Sequence, residues 1–395
     1  MESITELKDQ DNTILRSFID YELYALKKYY TPRLCKWESL SKYQQNIIPW
    51  FPEHLRAIKH GIKCNRKFFM QVVAVTVEGH LDPILKAKPP TEKEMDKVVA
   101  MIAQVAREWS ADCAKERNLL LSRVRARLDK CYPRETTDRS EIIIKNPGCG
   151  TGRVAAEMAL DGFDSIGIEN SFQMIAVSKF ILNDLIPKEH LPIYPFVHGF
   201  SHWKSRKAQV EEVRIPDIGN LKDIGMEHLM SIDYGSFVSD MGADRNIQIS
   251  QEYSLFPHDV FTRLNHKHSA HVIITNFFID TGVNILNYLQ TIYYNLKPGG
   301  QWINFGPLLY HFENDDGKET VADFDWDKKE VIKMQKDVPL QGLELAADDI
   351  VSICVDKLGF ELIEFESDIL SGYGSPKGAS GLPGYKCHYW VMERK

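Results

Sequence analysis

Three glycines alternate with other residues in Pro147-Gly148-Cys149-Gly150-Thr151-Gly152-Arg153, directly after the β-branched run Ile142-Ile143-Ile144. Glycines so spaced let a backbone turn tightly and approach a ligand with no Cβ in the way. A nicotinamide dinucleotide fingerprint needs its third glycine at position 153, where this chain has Arg153, so the spacing is G-x-G-x-G instead. Glu169 follows 21 positions after Gly148, at the end of the next strand-like segment. A carboxylate there can accept hydrogen bonds from two ribose hydroxyls. A strand-to-helix turn or a strand-end acid alone would mean little; together they favour nucleoside binding. His266, His268 and His271 lie close in sequence, but no Cys or Asp completes a ligand set, so no metal is expected. Cys149 has no evident base partner, and nucleophilic catalysis is not expected of it.

Around the glycine loop the apolar pattern reads β-α-β. Ile142–Ile144 is a strand, Val154–Leu160 a helix and Ser165–Ile168 a second strand. Farther on, His271–Ile279 reads as an apolar strand, Asn284–Leu296 as a helix, Lys297-Pro298-Gly299-Gly300 as a turn and Gln301–Phe305 as a strand. The tail adds strands at Phe360–Phe365 and Cys387–Met392, with a Gly/Ser-rich loop at Ser371–Gly384. This alternation predicts an α/β fold with a mostly parallel sheet covered by helices. The first third is helical in pattern. Leu15, Phe18, Ile19, Leu23 and Leu26 form one stripe, and Thr91 with Glu94 forms a capping box that starts a helix carrying Met95, Val98, Ile102, Val105 and Trp109. Gln104 and Arg107 lie together on the more polar side of that helix. The polar stretch Cys131–Arg139 marks a domain boundary near residue 137. The acidic segment Glu313–Lys329 reads as a solvated surface insertion.

The 395 residues are 44% hydrophobic and 26% charged, enough for a buried core and too ordinary for global disorder. With 48 basic against 55 acidic residues the net charge is −7, so no overall positive field favours nucleic acid or an anionic membrane. Seven cysteines without a C-x-x-C pair fit a reducing compartment. The acidic first residues and the lack of any long apolar run lead to the expectation of a soluble cytoplasmic or nuclear protein.

The loop resembles the cofactor loop of class I S-adenosylmethionine-dependent methyltransferases. More of the chain resembles the carnosine N-methyltransferase family, and it is identified as a fungal member. The resemblance is carried by Pro147-Gly148 through Arg153, by Glu169 with Ser171-Phe172, and by Phe277-Phe278-Ile279-Asp280-Thr281. It continues in Leu296-Lys297-Pro298-Gly299-Gly300, in Trp302-Ile303-Asn304 and in the long run Gly306-Pro307-Leu308-Leu309-Tyr310-His311-Phe312-Glu313-Asn314. It reaches Gln104, Arg107 and Ile193-Tyr194-Pro195, and so covers most of the chain.

That resemblance implies a Rossmann-like class I sheet with helices on both faces over residues 137–395, preceded by an all-helical domain over residues 1–136 that contributes to the cofactor site. It implies S-adenosylmethionine as cofactor. Gln104 and Arg107 would reach the cofactor's carboxylate end; Gly148, Gly150 and Glu169 would hold it, together with Phe237 and Asn276. Asp280 and His311 would be catalytic and, with Tyr373 and Tyr385, would bind the acceptor. The implied reaction methylates an imidazole nitrogen of carnosine, giving anserine, or of related histidine-containing di- and tripeptides. One departure stands out: where the family has Gly-Asp-Phe, whose acid would reach the adenine amino group, this chain has Gly235-Ser236-Phe237; Ser236 would bind the cofactor there, accepting a hydrogen bond without carrying charge. Methylation of histidine within a protein, or a catalytically weak cofactor-binding scaffold, are the alternatives. A homodimer through the helical region stays open.

Overall fold

The structure, a computed structural model, describes residues 9–77, 81–184, 191–218, 225, 227–234, 237, 268–325, 330–374 and 384–395. The chain divides into two compact units interleaved in sequence. One comprises Met1–Leu119, Ser171–Ile224 and Gly372–Gly384; the other comprises Leu120–Asn170, Gly225–Ser371 and Tyr385–Lys395.

The first unit is mainly helical, with one short antiparallel pair, Leu191–Ile193 against Val213–Ile215. On α1 (Asp9–Ala25) Leu15 and Phe18 are fully buried, but the stripe continues through Tyr21 and Ala25, and Leu23 is 73% exposed. Tyr21 takes the inner face because its hydroxyl finds partners there, lying 2.7 Å from His198 Nε2 and accepting from Asn65 Nδ2 at 3.1 Å. Burial pushes His198 down to about 4, so the ring beside that hydroxyl is neutral. The long α2 (Phe51–Val77) stacks Phe69 on Phe18 at 4.9 Å. The helix α3 (Glu92–Trp109) starts as the sequence indicates: Thr91 Oγ1 accepts from Glu94 N at 3.3 Å while Glu94 Oε2 accepts from Thr91 N at 2.6 Å.

The two units part inside α4 (Ala114–Cys131), earlier than the boundary expected near residue 137. The later turns of α4 belong with the sheet for a visible reason. Arg125 donates to Asp161 and Glu157, both at 2.7 Å, Arg127 to Gln301 at 2.9 Å, and Arg123 makes a forked contact with Glu366. The polar stretch after α4 is no open linker either, since Arg139 is buried and donates to the Tyr132 carbonyl at 2.9 Å.

Among the described residues, seven strands build the main sheet of the second unit: β1 (Ile143–Pro147), β2 (Asp164–Glu169), β3 (Met230–Tyr234), β4 (Ala270–Asn276), β5 (Leu296–Gly306), β6 (Phe360–Ser371) and β7 (Tyr385–Arg394). Their order is β3-β2-β1-β4-β5-β7-β6. The five strands from β3 to β5 are parallel, and β7 runs antiparallel to both of its neighbours. The helices α5 (Arg153–Leu160) and α6 (Ile285–Asn295) connect parallel strands. This is the α/β sheet expected from the alternation. Its core holds Trp302 and Trp390, fully buried and edge to face at 5.3 Å. Strand order reverses between β1 and β4, so ligands are expected outside the carboxyl ends of these strands.

One reading needs correction. The strand expected to reach Ile279 stops at Asn276, because Phe277 turns to φ +51° and Ile279–Thr281 forms a 3-10 turn. The acidic segment holds a strand: Lys318–Asp325 pairs antiparallel with Glu330–Pro339. Its β-branched Thr320, Val321, Val331 and Ile332 suit extended backbone, a signal the acidic residues obscured.

Lys145, in the middle of β1, is fully buried, its ammonium donating to Ser269 Oγ and Asn295 Oδ1, both at 2.9 Å. Burial pushes its pKa down to about 8, with Asp233 opposing the shift. An unfolded chain holds that proton up to a pH of about 10.4, so between these values the unfolded state binds more protons and stability rises with pH. Against Lys145→Met as reference, urea melts should show the wild-type chain gaining about 3 kcal/mol between neutral pH and roughly pH 11. Parallel profiles for the two proteins would exclude the buried amine as the cause.

Candidate active site

Between β1 and α5 the three glycines take φ values of +63°, +59° and +89° at positions 148, 150 and 152. Gly148 is also a close approach: a Cβ there would stand 2.2 Å from the Phe278 ring. Phe278 is itself held in place, stacked on Tyr288 at 4.7 Å with 2° between planes and meeting the Phe237 ring near its edge at 6.1 Å. The sequence showed Phe278 only as a letter of a motif; its role as a wall against the loop emerges from the turn at Phe277. Glu169, 8% exposed at the end of β2, accepts from Gly150 N at 2.9 Å on one oxygen and from Asn170 N at 3.0 Å on the other. The carboxylate therefore shapes the loop. Phe237 is 4% exposed, Asn276 ends β4 opposite Phe305, and Ser236 lies outside the described residues.

A second group forms where β4 and β5 end. Asp280 is 3% exposed; its Oδ2 accepts from Leu309 N at 3.1 Å and its carbonyl from His311 N at 3.1 Å. These bonds fasten the segment after β5 to the turn after β4. Helix capping, the plain alternative for Asp280, falls to Asn284, whose Oδ1 accepts from Leu286 N at 3.0 Å. Burial raises the Asp280 pKa, while the Leu309 amide and His311 act to lower it. Such a carboxylate accepts an N–H, balances a developing positive charge and takes up a proton more readily than an exposed one. His311 is tied through its backbone, and its side chain is exposed. Tyr385 opens β7 with its ring edge-on to Phe277 at 5.7 Å.

The helical unit holds the other predicted residues. Gln104 donates to Glu108 at 3.2 Å. Arg107, expected on a polar face, is only 8% exposed. Its Nε donates to Glu116 Oε1 at 2.8 Å, and its guanidinium carbon lies 4.0 Å from the centre of the Tyr373 ring. Burial works against the Arg107 charge, yet Tyr373, Glu108 and Glu116 together leave its pKa raised.

His271 accepts the Ile143 amide at Nδ1 and has Lys297 Nζ 2.8 Å from Nε2; His266 lies outside the described residues. Among the described residues no three His, Cys, Asp or Glu side chains group as metal ligands, and no helix is long and apolar enough to cross a membrane.

A family model described as carnosine N-methyltransferase matches residues 85–395. The carnosine N-methyltransferase of Schizosaccharomyces pombe is 32% identical over 297 residues, covering 75% of this chain and 70% of that protein. The Mus musculus carnosine N-methyltransferase is 33% identical over 365 residues, 91% of this chain and 80% of its own. A third, from Dictyostelium discoideum, is 36% identical over 313 residues.

Proposed function

The chain belongs to the carnosine N-methyltransferase family, and from that premise we propose that it transfers the methyl group of S-adenosylmethionine to an imidazole nitrogen of carnosine, with Asp280 holding the ring. One observation carries the reading most: a buried carboxylate fixed by the Leu309 amide, with a raised pKa, just past the carboxyl end of β4.

The residues present suit the cofactor. Glu169 ends β2 beside a loop of left-handed glycines, and a carboxylate so placed accepts from ribose hydroxyls. The family resemblance gives Arg107 and Gln104 the carboxylate end; a charged, planar guanidinium is suited to that task. Bound, S-adenosylmethionine supplies a methyl group already activated by its sulfonium.

What remains for the protein is geometry and the fate of one proton. A neutral imidazole, the main form at pH 7 for a pKa near ~6.5, has one N–H and one lone pair. Asp280 accepts the N–H, which fixes the tautomer and turns the other nitrogen outward as nucleophile. As the nitrogen lone pair forms its bond to the methyl carbon, whose bond to sulfur breaks to leave a neutral thioether, positive charge grows on the ring, and Asp280 stabilises it. The carboxylate then accepts the ring proton, a step its raised pKa favours, and His311 offers a route to solvent.

The direct test incubates the purified chain with methyl-labelled S-adenosylmethionine and a panel of carnosine, other imidazole dipeptides and longer histidine peptides. Labelled methylcarnosine is the expected product. Label in the longer peptides alone would replace this reading with protein histidine methylation; cofactor binding without turnover would leave a scaffold.

A further inference from the structure

Glu116 has no role in the set of residues assigned so far, yet in the helical unit it is bonded at once to one member of that set, Arg107, and to the residue that follows another, Tyr373. Its Oε1 accepts from Arg107 Nε at 2.8 Å, and both of its oxygens lie 3.1 Å from the Gly374 amide, 258 positions farther along the chain. The Arg107 and Glu116 side chains are 10% and 12% exposed, so water weakens the pair little.

The backbone at Gly374 suits this contact. Its φ is +66°, strained for a residue with a Cβ, and a Cβ there would meet the Ala103 carbonyl oxygen at 3.3 Å and Arg107 Cβ at 3.5 Å. Glycine lets the chain lie against α3 within reach of the carboxylate. The preceding residue, Tyr373, carries the ring over which Arg107 sits, an arrangement favoured by cation–π attraction. One carboxylate therefore holds the guanidinium by its Nε edge and the peptide that carries the tyrosine. From the backbone side Arg117 donates to the Arg107 and Ser110 carbonyls at 2.8 and 2.7 Å, fixing the end of α3. With Arg107 so secured, Tyr373 is placed by the same bonds, although it remains 43% exposed.

We propose that Glu116 is a positioning residue for methyl transfer, setting Tyr373 for the acceptor and Arg107 for the cofactor carboxylate through a single shared carboxylate. The inference rests on the reading above that Tyr373 contacts the acceptor. Glu116 itself touches neither substrate; it acts by holding two groups that do.

The experiment is a double-mutant cycle in the full chain: Glu116→Ala, Tyr373→Ala and both together, with carnosine as the varied substrate at saturating S-adenosylmethionine, and a thermal melt of each variant. Each single variant should raise the carnosine KM about tenfold or more, with kcat changed far less. The double variant should show a KM no higher than Tyr373→Ala alone, because Glu116 acts through that ring. Removing one partner of a buried pair can unfold a chain. Should Glu116→Ala fail to fold, Glu116→Gln takes its place in the cycle: its amide oxygen still accepts from Gly374 while the charge toward Arg107 is gone. A smaller rise in KM, again absent on top of Tyr373→Ala, is then expected. Fully additive effects would overturn the inference about Glu116 while the reading of Tyr373 stands. So would an unchanged KM for the Glu116 variant beside a raised one for Tyr373→Ala. An unchanged KM for Tyr373→Ala overturns both.

Discussion

Replacing Asp280 with Asn will lower turnover about 10²–10³-fold while cofactor affinity stays near wild type, the size of loss typical when a positioned electrostatic group is removed from a dry site. The geometry makes the sign of the effect specific. In the native site Oδ2 accepts from the Leu309 amide. An asparagine keeps that bond by turning its oxygen to Leu309, and this presents its NH₂ group to the acceptor. A donor then faces the imidazole N–H, so the ring docks in the other tautomer or fails to dock. The charge that would balance the growing imidazolium is also gone. The segment after β5 stays fastened, because the backbone bond from His311 to Asp280 does not involve the side chain. Steady-state rates on carnosine, paired with calorimetric cofactor binding, separate these effects. Since burial raises the Asp280 pKa, the wild-type rate should fall on acidification at a pH above the ordinary carboxylate range, and the Asn variant should keep only the limb set by the substrate imidazole itself, whose pKa is about 6.5. A rate and affinity both near wild type would mean that Asp280 does not orient the acceptor.

Glu169→Ala should weaken cofactor binding by about a hundredfold or more, equivalent to some 3 kcal/mol. Two losses combine. The ribose hydroxyls lose their acceptor, and the amides of Gly150 and Asn170 lose theirs, so the glycine loop is released as well. Glu169→Gln tells the two apart: it retains one acceptor oxygen, sheds the charge and should fall between wild type and Ala. Calorimetry with S-adenosylmethionine is the measurement, and an unchanged affinity for the Ala variant would remove Glu169 from the cofactor site.

Local chemistry was legible in the sequence. The Thr91 capping box, the strand-loop-helix around Gly148 and the acid at the end of β2 are each set by residues a few positions apart, and the structure has them where periodicity and turn chemistry put them. What depends on register was not. Glu169 reaches Gly150 because β1 and β2 pair in parallel with Pro147 opposite Ile168, which brings the two strand ends level; spacing alone suggested only a ribose acceptor. Leu23 and Tyr21 exchanged places because buried partners for a hydroxyl outweighed a tidy apolar stripe. Arg107 looked like a surface residue on the helical wheel, and a glutamate beyond the break at Ser110 and a tyrosine near the far end of the chain help make its burial tolerable. For Asp280, His311, Tyr373 and Tyr385 the physical reading of spacing left bland alternatives open. The family resemblance singled them out, and the structure adds what Asp280 and Arg107 are bonded to.

The strand order has a consequence for how the chain is made. Synthesis runs from the amino terminus at roughly 5–20 residues per second, and segments fold as their partners emerge. Here β7, which follows β6 in the chain, lies between β5 and β6, so β6 has no seat beside β5 when it leaves the ribosome. The helical unit likewise waits for Gly372–Gly384. Gly384 directly precedes β7, so a ribosome that stalls there leaves two strands undocked rather than one. The nascent β6, whose Phe360 and Ile369 are buried in the finished fold, is then a segment that chaperones would be expected to shield until β7 emerges.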